Sequence, residues 1–248
     1  MNFLNLRFLF IIVIYSLLTI IALLISFSPL TYYVYFVLQQ HNFLFFLSLP
    51  VTLPILWLVA FMIFVTIHGR IIVTLFLPKI KEGSYPLKSS QNLIFSIHLS
   101  ADNIAKYWCK TFEIIPFLTQ LYINKFFLSA YGVKFGKNTY ISTEVRIDGI
   151  PLIEFGDNVF IGPRAIIGAH INHGGDQLGG NILYKRVKVG NNCFIGHNAV
   201  LTPGGKMGDN SVLGAFSVCL IDADIPSNET WVGMPAKFMK KNNNHATK

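Results

Sequence analysis

Charge is what this sequence lacks. Only 13% of its 248 residues are Asp, Glu, Lys or Arg, where a soluble globular domain carries about 25%. With 52% hydrophobic residues and a mean hydropathy of +0.51, this excludes an ordinary soluble enzyme and a disordered chain alike. The shortage is uneven. No charged residue falls between Phe8 and Gly69, and all 12 acidic residues lie beyond position 80. Cysteine is also scarce. Cys109, Cys193 and Cys219 are odd in number and have no metal-ligand spacing, which argues against a disulfide framework or a cysteine zinc site. Reduced, buried thiols in a reducing compartment are the simpler reading. No basic stripe with interleaved aromatics occurs in the polar part, so nucleic acid is not an expected partner.

The net charge of +8 is distributed by region. Residues 1–69 carry only Arg7, residues 70–132 seven basic and three acidic side chains, and residues 133–248 twelve basic and nine acidic. The densest positive excess therefore follows directly on the apolar block, a placement suited to anionic lipid headgroups.

Two stretches are long enough to cross a bilayer, which takes about 20 apolar residues. They are Phe8–Phe27 and about Leu44–Ile67. The first exceeds a signal peptide's apolar run and has no small-residue cleavage site before Pro29. A transmembrane helical hairpin over residues 1–69 is expected. Its connector, Ser28–Asn42, holds Tyr32, Tyr33 and Tyr35, residues that suit the membrane–water boundary. Pro50 and Pro54 either kink the second span or delay its start. Arg7 flanks one end, and Arg70, Lys79 and Lys81 the other. The positive-inside rule then puts both termini in the cytoplasm, on an inner or cytoplasmic membrane. Residues 70–132 read as a juxtamembrane helical connector. Ile104–Thr111 and Leu118–Leu128 have apolar residues at helical spacing with Lys106, Lys110 and Lys125 among them. Two roles fit: a basic amphipathic helix on the membrane, or a helix capping the next domain.

From residue 133 a period of six takes over. Val189, Ile195, Leu201, Met207, Leu213 and Cys219 follow one another at that interval, with small residues four positions after each. Phe135, Ile141 and Ile147, then Phe155, Ile161 and Ile167, repeat the pattern, with a two-residue insertion between the triplets. Hexapeptide periodicity indicates a parallel β-helix. The aliphatic residue fills a triangular interior, and Gly or Asn supplies the corner. Three hexads make a turn, so about four coils are expected over residues 133–240, with a polar tail at 241–248.

The stretch VGNNCFIGHNAVLTPGGKMGDNSVLGAFSVCL, with the ending from Ile225 to Lys237, resembles the hexapeptide-repeat acyltransferases. That resemblance implies a left-handed parallel β-helix, a homotrimer and acyl-CoA, most often acetyl-CoA, as co-substrate. The order of parts, membrane segments before YGVKFGKNTYISTEV and a β-helix, is also similar to the C-terminal region of poly-lysine-synthetase-like proteins.

The rhythm breaks between Ile167 and Val189, a gap read as one turn plus about four residues in a protruding loop. Loops on rigid scaffolds carry function, and this one holds His170 and His173. Acyl transfer to a hydroxyl or amine needs a general base, which a histidine supplies near neutral pH. The poly-lysine-synthetase-like pattern selects His170 first, and the sugar acetyltransferase pattern selects His173. Asp176 is placed to orient either ring. His197 reads as a surface or trimer-contact residue. A zinc site like that of β-helical carbonic anhydrases, held by three histidines at a subunit interface, would draw on His170, His173 and His197.

The resemblance also implies a groove for acyl-CoA between adjacent β-helices of the trimer. Gly196, Gly214, Ala215 and Ser217 would meet the pantetheine arm and Lys237 the phosphate. Trp231 would cover the adenine or cap the last coil. The expectation is a membrane-anchored acyltransferase acting on a small-molecule, membrane-proximal or lipid-linked acceptor. A non-catalytic membrane scaffold is the alternative.

Overall fold

The computed structural model describes residues 3–40, 43–113, 123–173 and 180–242. It divides into two compact units, Met1–Leu77 and Pro78–Lys248.

The first unit is helical. Helix α1 spans Phe3–Gln40. Helix α2 spans Phe43–Val65 and continues as a π-helical stretch, Thr66–Phe76. The two run antiparallel. The Tyr33 hydroxyl donates to Thr52 Oγ1 at 3.1 Å, and the Tyr15 hydroxyl meets His68 Nε2 at 3.0 Å. By length and composition, Leu9–Gln40 and Phe43–Phe76 are each sufficient to cross a membrane. One feature differs from expectation. Ser28–Gln40 is not a separate connector, because α1 runs through Pro29 to Gln40. Of the two alternatives for Pro50 and Pro54, the delayed start is removed, since α2 begins at Phe43 and holds both inside it. A proline in an apolar helix is tolerated where Ser and Thr hydroxyls engage freed backbone groups. Ser28 Oγ donates to the carbonyl of Ile25, the group freed by Pro29, at 3.2 Å.

The second unit is a parallel β-helix with helices packed on it. Each hexad gives a short strand and a turn, and three strands complete a circuit. One sheet stacks β2 (Lys134–Phe135), β5 (Ile153–Phe155), β10 (Val187–Val189), β13 (Lys206–Met207) and β15 (Asp224–Ile225). The next stacks β3 (Tyr140–Ile141), β6 (Phe160–Ile161), β11 (Phe194–Ile195), β14 (Val212–Leu213) and β16 (Glu229–Val232), with β17 (Lys237–Lys241) antiparallel at its edge. The third holds β4 (Arg146–Asp148), β7 (Ile166–Gly168) and β12 (Val200–Leu201), extended by a bridge from Val200 to Val218. The sixfold column is the core: Ile161, Ile167, Ile195, Leu201 and Leu213 are fully buried. Ile225 is buried with them and extends the column past Cys219.

Corners follow residue type. Asn138, Asn158, Asn192, Asn210 and Asn228 all take left-handed φ between 52° and 62°, which Asn tolerates better than most residues. Their amides form a ladder, each donating to the next at 2.9–3.1 Å. Gly196 marks a close approach. A Cβ there would lie 2.4 Å from Ala215 N on the adjacent coil.

The register corrects the count at the break. Phe155 pairs with Val189, 34 positions on, whereas Val189 pairs with Met207 at the regular spacing. No coil turn lies between Ile167 and Val189. The extra chain leaves the coil as a hairpin, β8 (His170–His173) and β9 (Asn181–Tyr184), rather than as an irregular loop. Ile171, Ile182 and Leu183 give it strand propensity. The strand β1 (Gly83–Pro86), from before the repeat, adds to β9. The smaller insertion forms a 3-10 turn, Ile150–Leu152, entered through Gly149 at φ 81°.

Helix α3 (Ser90–Glu113) lies on this turn. Asn92, Phe95, His98, Ala101 and Asp102, at helical spacing, are buried. Lys106 Nζ reaches Asp148 Oδ1 at 2.6 Å, and Arg146 Nε holds Asp148 Oδ2 at 2.6 Å. Asp102 Oδ2 accepts the Ile150 N–H at 3.3 Å. Helix α4 (Ile123–Ala130) covers the open end of the first coil, with Phe127 and Ala130 buried and Lys125 Nζ donating to Gly136 O at 2.6 Å. Solenoid ends need such caps. Packing on the coil is therefore the observed role of Lys106 and Lys125. Residues 118–122 of the second amphipathic stretch lie outside the described residues.

Burial lifts the Asp102 carboxyl to about 7, against the lowering pull of Lys106. Asp148 differs. Burial alone would raise it, but its bonds to Lys106 and Arg146 hold it below the usual carboxylate range.

Two outcomes follow. Gly196→Ala must push apart two backbones. It should destabilise the coil by about 1–3 kcal/mol, the usual cost of overpacking, seen as a lower melting temperature in detergent. Asp102 binds its proton more tightly folded than unfolded. Its contribution to stability therefore falls as pH rises from 3.8 to about 7 and then levels off. Asp102→Asn keeps an acceptor for Ile150 and should remove that fall, so wild-type and variant melting temperatures diverge with rising pH in this window.

Candidate active site

The hairpin sorts its side chains by strand alternation. Residues opposite one another in an antiparallel pair share a face, and neighbours in sequence point oppositely. His170 pairs with Tyr184, and Gly83 pairs with Tyr184 in turn. His170, Tyr184 and Tyr85 thus face one side, against α3. The Phe95 ring lies 4.7 Å from both His170 and Tyr184, and Tyr85 lies 6.1 Å from Tyr184. The Tyr184 hydroxyl donates to Asn92 Oδ1, and Asn92 itself donates to the carbonyl of Pro86. One buried amide ties α3, β1 and β9 together.

The opposite face carries Ile171, His173, Leu183 and Ser84. It is open: Ile171 and Ser84 are exposed and His173 is half-buried. Ser84 Oγ lies 2.8 Å from His173 Nε2.

The two predicted histidines therefore sit on one strand but on different faces. The His170 Nδ1 is buried with no hydrogen-bond partner among the described residues. A Cβ on Gly149 would come within 3.5 Å of it. Burial holds this imidazole below its ordinary range. The charge of Asp148 opposes that shift, and Lys106 and Arg146 add to it. Asp176 lies outside the described residues. His197 sits at a coil corner, with Arg164 Nη2 3.0 Å from its Nε2 and the Phe216 ring at 5.6 Å. Among the described residues of one chain no three His, Cys, Asp or Glu side chains gather as a metal site.

The residues expected at acyl-CoA are spread along the last coils. Gly196 and Gly214 are accounted for by coil stacking, since a Cβ on Gly214 would lie 2.7 Å from Val232 Cγ1. Ala215 is exposed. The Ser217 side chain is turned inward, and its hydroxyl accepts the Gly233 N–H at 3.0 Å. That leaves only its backbone for a ligand. Trp231 lies opposite Phe238 across the last strand pair and donates its Nε1–H to Glu229 Oε2 at 2.8 Å. Lys237 is exposed at the start of β17.

Sequence reasoning missed Ser84, Asn92, Phe95 and Asp102. All four lie in the connector, outside any repeat, and reach the hairpin or the turn through tertiary packing. A buried polar position on the apolar stripe of α3 was the one available signal, and it belongs to Asn92 and Asp102.

Comparisons agree with this architecture. Residues 182–220 match the family model described as bacterial transferase hexapeptide (six repeats), and residues 153–174 match the hexapeptide repeat of succinyl-transferase. The chain is 32% identical over 118 residues to the galactoside O-acetyltransferase of Escherichia coli K12, covering 46% of this chain and 57% of that protein. It is 31% identical over 109 residues to the delta-poly-L-ornithine synthetase of Acinetobacter baumannii, covering 44% of this chain and 8% of that one. The chain thus spans about half the length of the first of these relatives and a small part of the second. WbbJ of E. coli K12, assigned by name to lipopolysaccharide biosynthesis as an O-acetyl transferase, is 30% identical over 136 residues, which cover 49% of this chain and 67% of WbbJ. With its sixfold column, its Asn-lined corners and these matches, the chain belongs to the hexapeptide-repeat transferase family.

Proposed function

We propose that this chain is a membrane-anchored acyltransferase. It moves an acyl group, acetyl in the first instance, from acyl-CoA to a hydroxyl or amine of a membrane-proximal or lipid-linked acceptor. The observation that carries the reading is an accessible histidine, His173, on a hairpin grown from a hexapeptide coil. Relatives named for O-acetyl transfer to a galactoside and in lipopolysaccharide biosynthesis support a hydroxyl acceptor. The two long apolar helices support the anchor. On this reading both termini are cytoplasmic, the β-helix is left-handed with about four coils, and three copies form the working trimer. The pantetheine arm follows the coil edge past Gly196, Gly214 and Ala215, and Lys237 meets a phosphate.

We assign the base to His173. Both residues are half-buried, but exposed Ile171 and Ser84 flank His173, whereas His170 is packed between Phe95 and Tyr184 with one ring nitrogen enclosed. His173 takes the proton as the acceptor oxygen attacks the thioester carbon. A backbone N–H steadies the oxyanion. The C–S bond then breaks, and the CoA sulfur leaves with the proton carried by the ring. Positioned general bases contribute about 10²–10⁴-fold. His170 holds the hairpin to α3 and serves the site by position.

His173→Ala should lower kcat/KM by about that factor with its melting temperature unchanged. His170→Ala should lower the melting temperature, with a smaller loss of rate. Full transfer by His173→Ala would overturn the assignment. Titration of the detergent-solubilised protein with acetyl-CoA should saturate, and a protein that does not bind it is the scaffold instead. Membrane fractions washed with high salt or carbonate should retain the chain, and its release by either treatment would remove the anchor.

A further inference from the structure

Phe216 stands at a place where folding alone gives no reason for it. The corner between the second and third sheets stacks Glu144, Arg164, Asn198 and Phe216, all at left-handed φ between 54° and 57°. Backbone bonds fix the stack. The Asn198 N–H donates to the Pro163 carbonyl at 3.0 Å, and the Phe216 N–H to the His197 carbonyl at 2.8 Å. Asparagine tolerates this conformation, whereas a bulky aromatic residue in it is an outlier. Burial does not offset the strain, because the Phe216 ring is 65% exposed. The His197 ring lies 5.6 Å from it, and exposed Arg164 sits beside that ring, its Nη2 3.0 Å from Nε2. A strained and exposed side chain of this kind points to a contact outside the fold.

The surroundings say which contact. Exposed Ala215 and then Gly214 precede Phe216, and both lie on the edge given above to the pantetheine arm. A Cβ on Gly214 would lie 2.7 Å from Val232 Cγ1, and Val232 pairs with Lys237. The corner therefore joins the edge for the arm to the lysine for a phosphate. Arg164 adds a guanidinium, a strong partner for phosphate oxygens. Trp231, the other aromatic candidate for the adenine, has its indole N–H engaged by Glu229 in its own strand.

We infer that Phe216 is the platform on which the adenine of the acyl donor stacks, and that it makes the site select donors carrying the nucleotide. The inference rests on the proposed path of acyl-CoA along this edge. Stacking on an aromatic ring needs only the flat face of the base. A ring already fixed by its corner loses little freedom on binding. The transfer step is unaffected: the acceptor attacks the thioester directly, and Phe216 acts on the binding of the donor.

The test compares two donors on the full-length protein in detergent, without an acceptor, by calorimetric titration. One is acetyl-CoA. The other is acetyl phosphopantetheine, which keeps the acetyl group and the arm but lacks the adenosine. Phe216→Asn should raise the Kd for acetyl-CoA about 5- to 100-fold, the range of base–aromatic stacking, and leave the Kd for acetyl phosphopantetheine unchanged. Phe216→Trp should keep the wild-type preference. The ligand-free Phe216→Asn protein should melt at a higher temperature than wild type, since asparagine relieves the corner. Unchanged affinity of Phe216→Asn for acetyl-CoA overturns the inference and leaves the proposed function standing. An equal loss for both donors also overturns it and moves the ring to the arm. A lower melting temperature, or a smaller assembly by light scattering, overturns it as well, because the ring then serves the fold or a contact between copies. Wild-type protein that binds neither donor removes the proposed function and this inference together.

Discussion

The spacing between neighbouring coils is the constraint on which the second unit depends. Adjacent strands in a sheet lie about 4.8 Å apart. The corners must let backbone pass backbone at close range on every circuit. At Gly136 a Cβ would lie 2.3 Å from the backbone of Gly156, so no side chain fits there. The Asn corners answer the same constraint with a left-handed backbone and an amide that bonds along the stack. Given those corners, a strand returns in register only after a whole circuit. The hexapeptide period is the trace of that closure in the sequence.

Extra residues leave the coil only where the closure is preserved. After Asp148, two of them form the turn at Ile150–Leu152. After Ile167, a longer excess leaves as the hairpin, and β10 resumes beside β5 in register. Both expansions lie under α3. Asp102 and Lys106 hold the turn and Asp148, and Phe95 and Asn92 hold the hairpin. The helix before the repeat is thus more than a spacer. It fixes the two places where the coil departs from its own rule, and the candidate chemistry sits at one of them.

Much of the coil was legible because its cause is periodic. The columns from Phe135 to Cys219 and the two-residue insertion needed only counting. The count failed at the hairpin, where an interval of 22 residues was read as a turn plus a remainder. Spacing alone does not say which sheet the chain rejoins, and the pairing of Phe155 with Val189 does. The apolar helices were legible as composition, but their bounds were not. Pro29, Pro50 and Pro54 read as punctuation in a sequence, yet the helices run through all three. Ser84 was not legible at all. Its place beside His173 is set by β1 joining β9 across a long separation, and neither strand carries a repeat.

The geometry sets apart two histidines between which the resemblance had favoured His170. Three positions along a helix would have put both rings on one side, available to act together. Along β8 the same interval turns them apart. The α3 face gives His170 aromatic neighbours and one ring nitrogen closed off from water, conditions that favour the neutral form. The open face gives His173 a hydroxyl at hydrogen-bond distance and room beside it. A single structural choice, strand rather than loop after Ala169, therefore puts His170 against the aromatic rings of the α3 face and His173 on the face with Ser84.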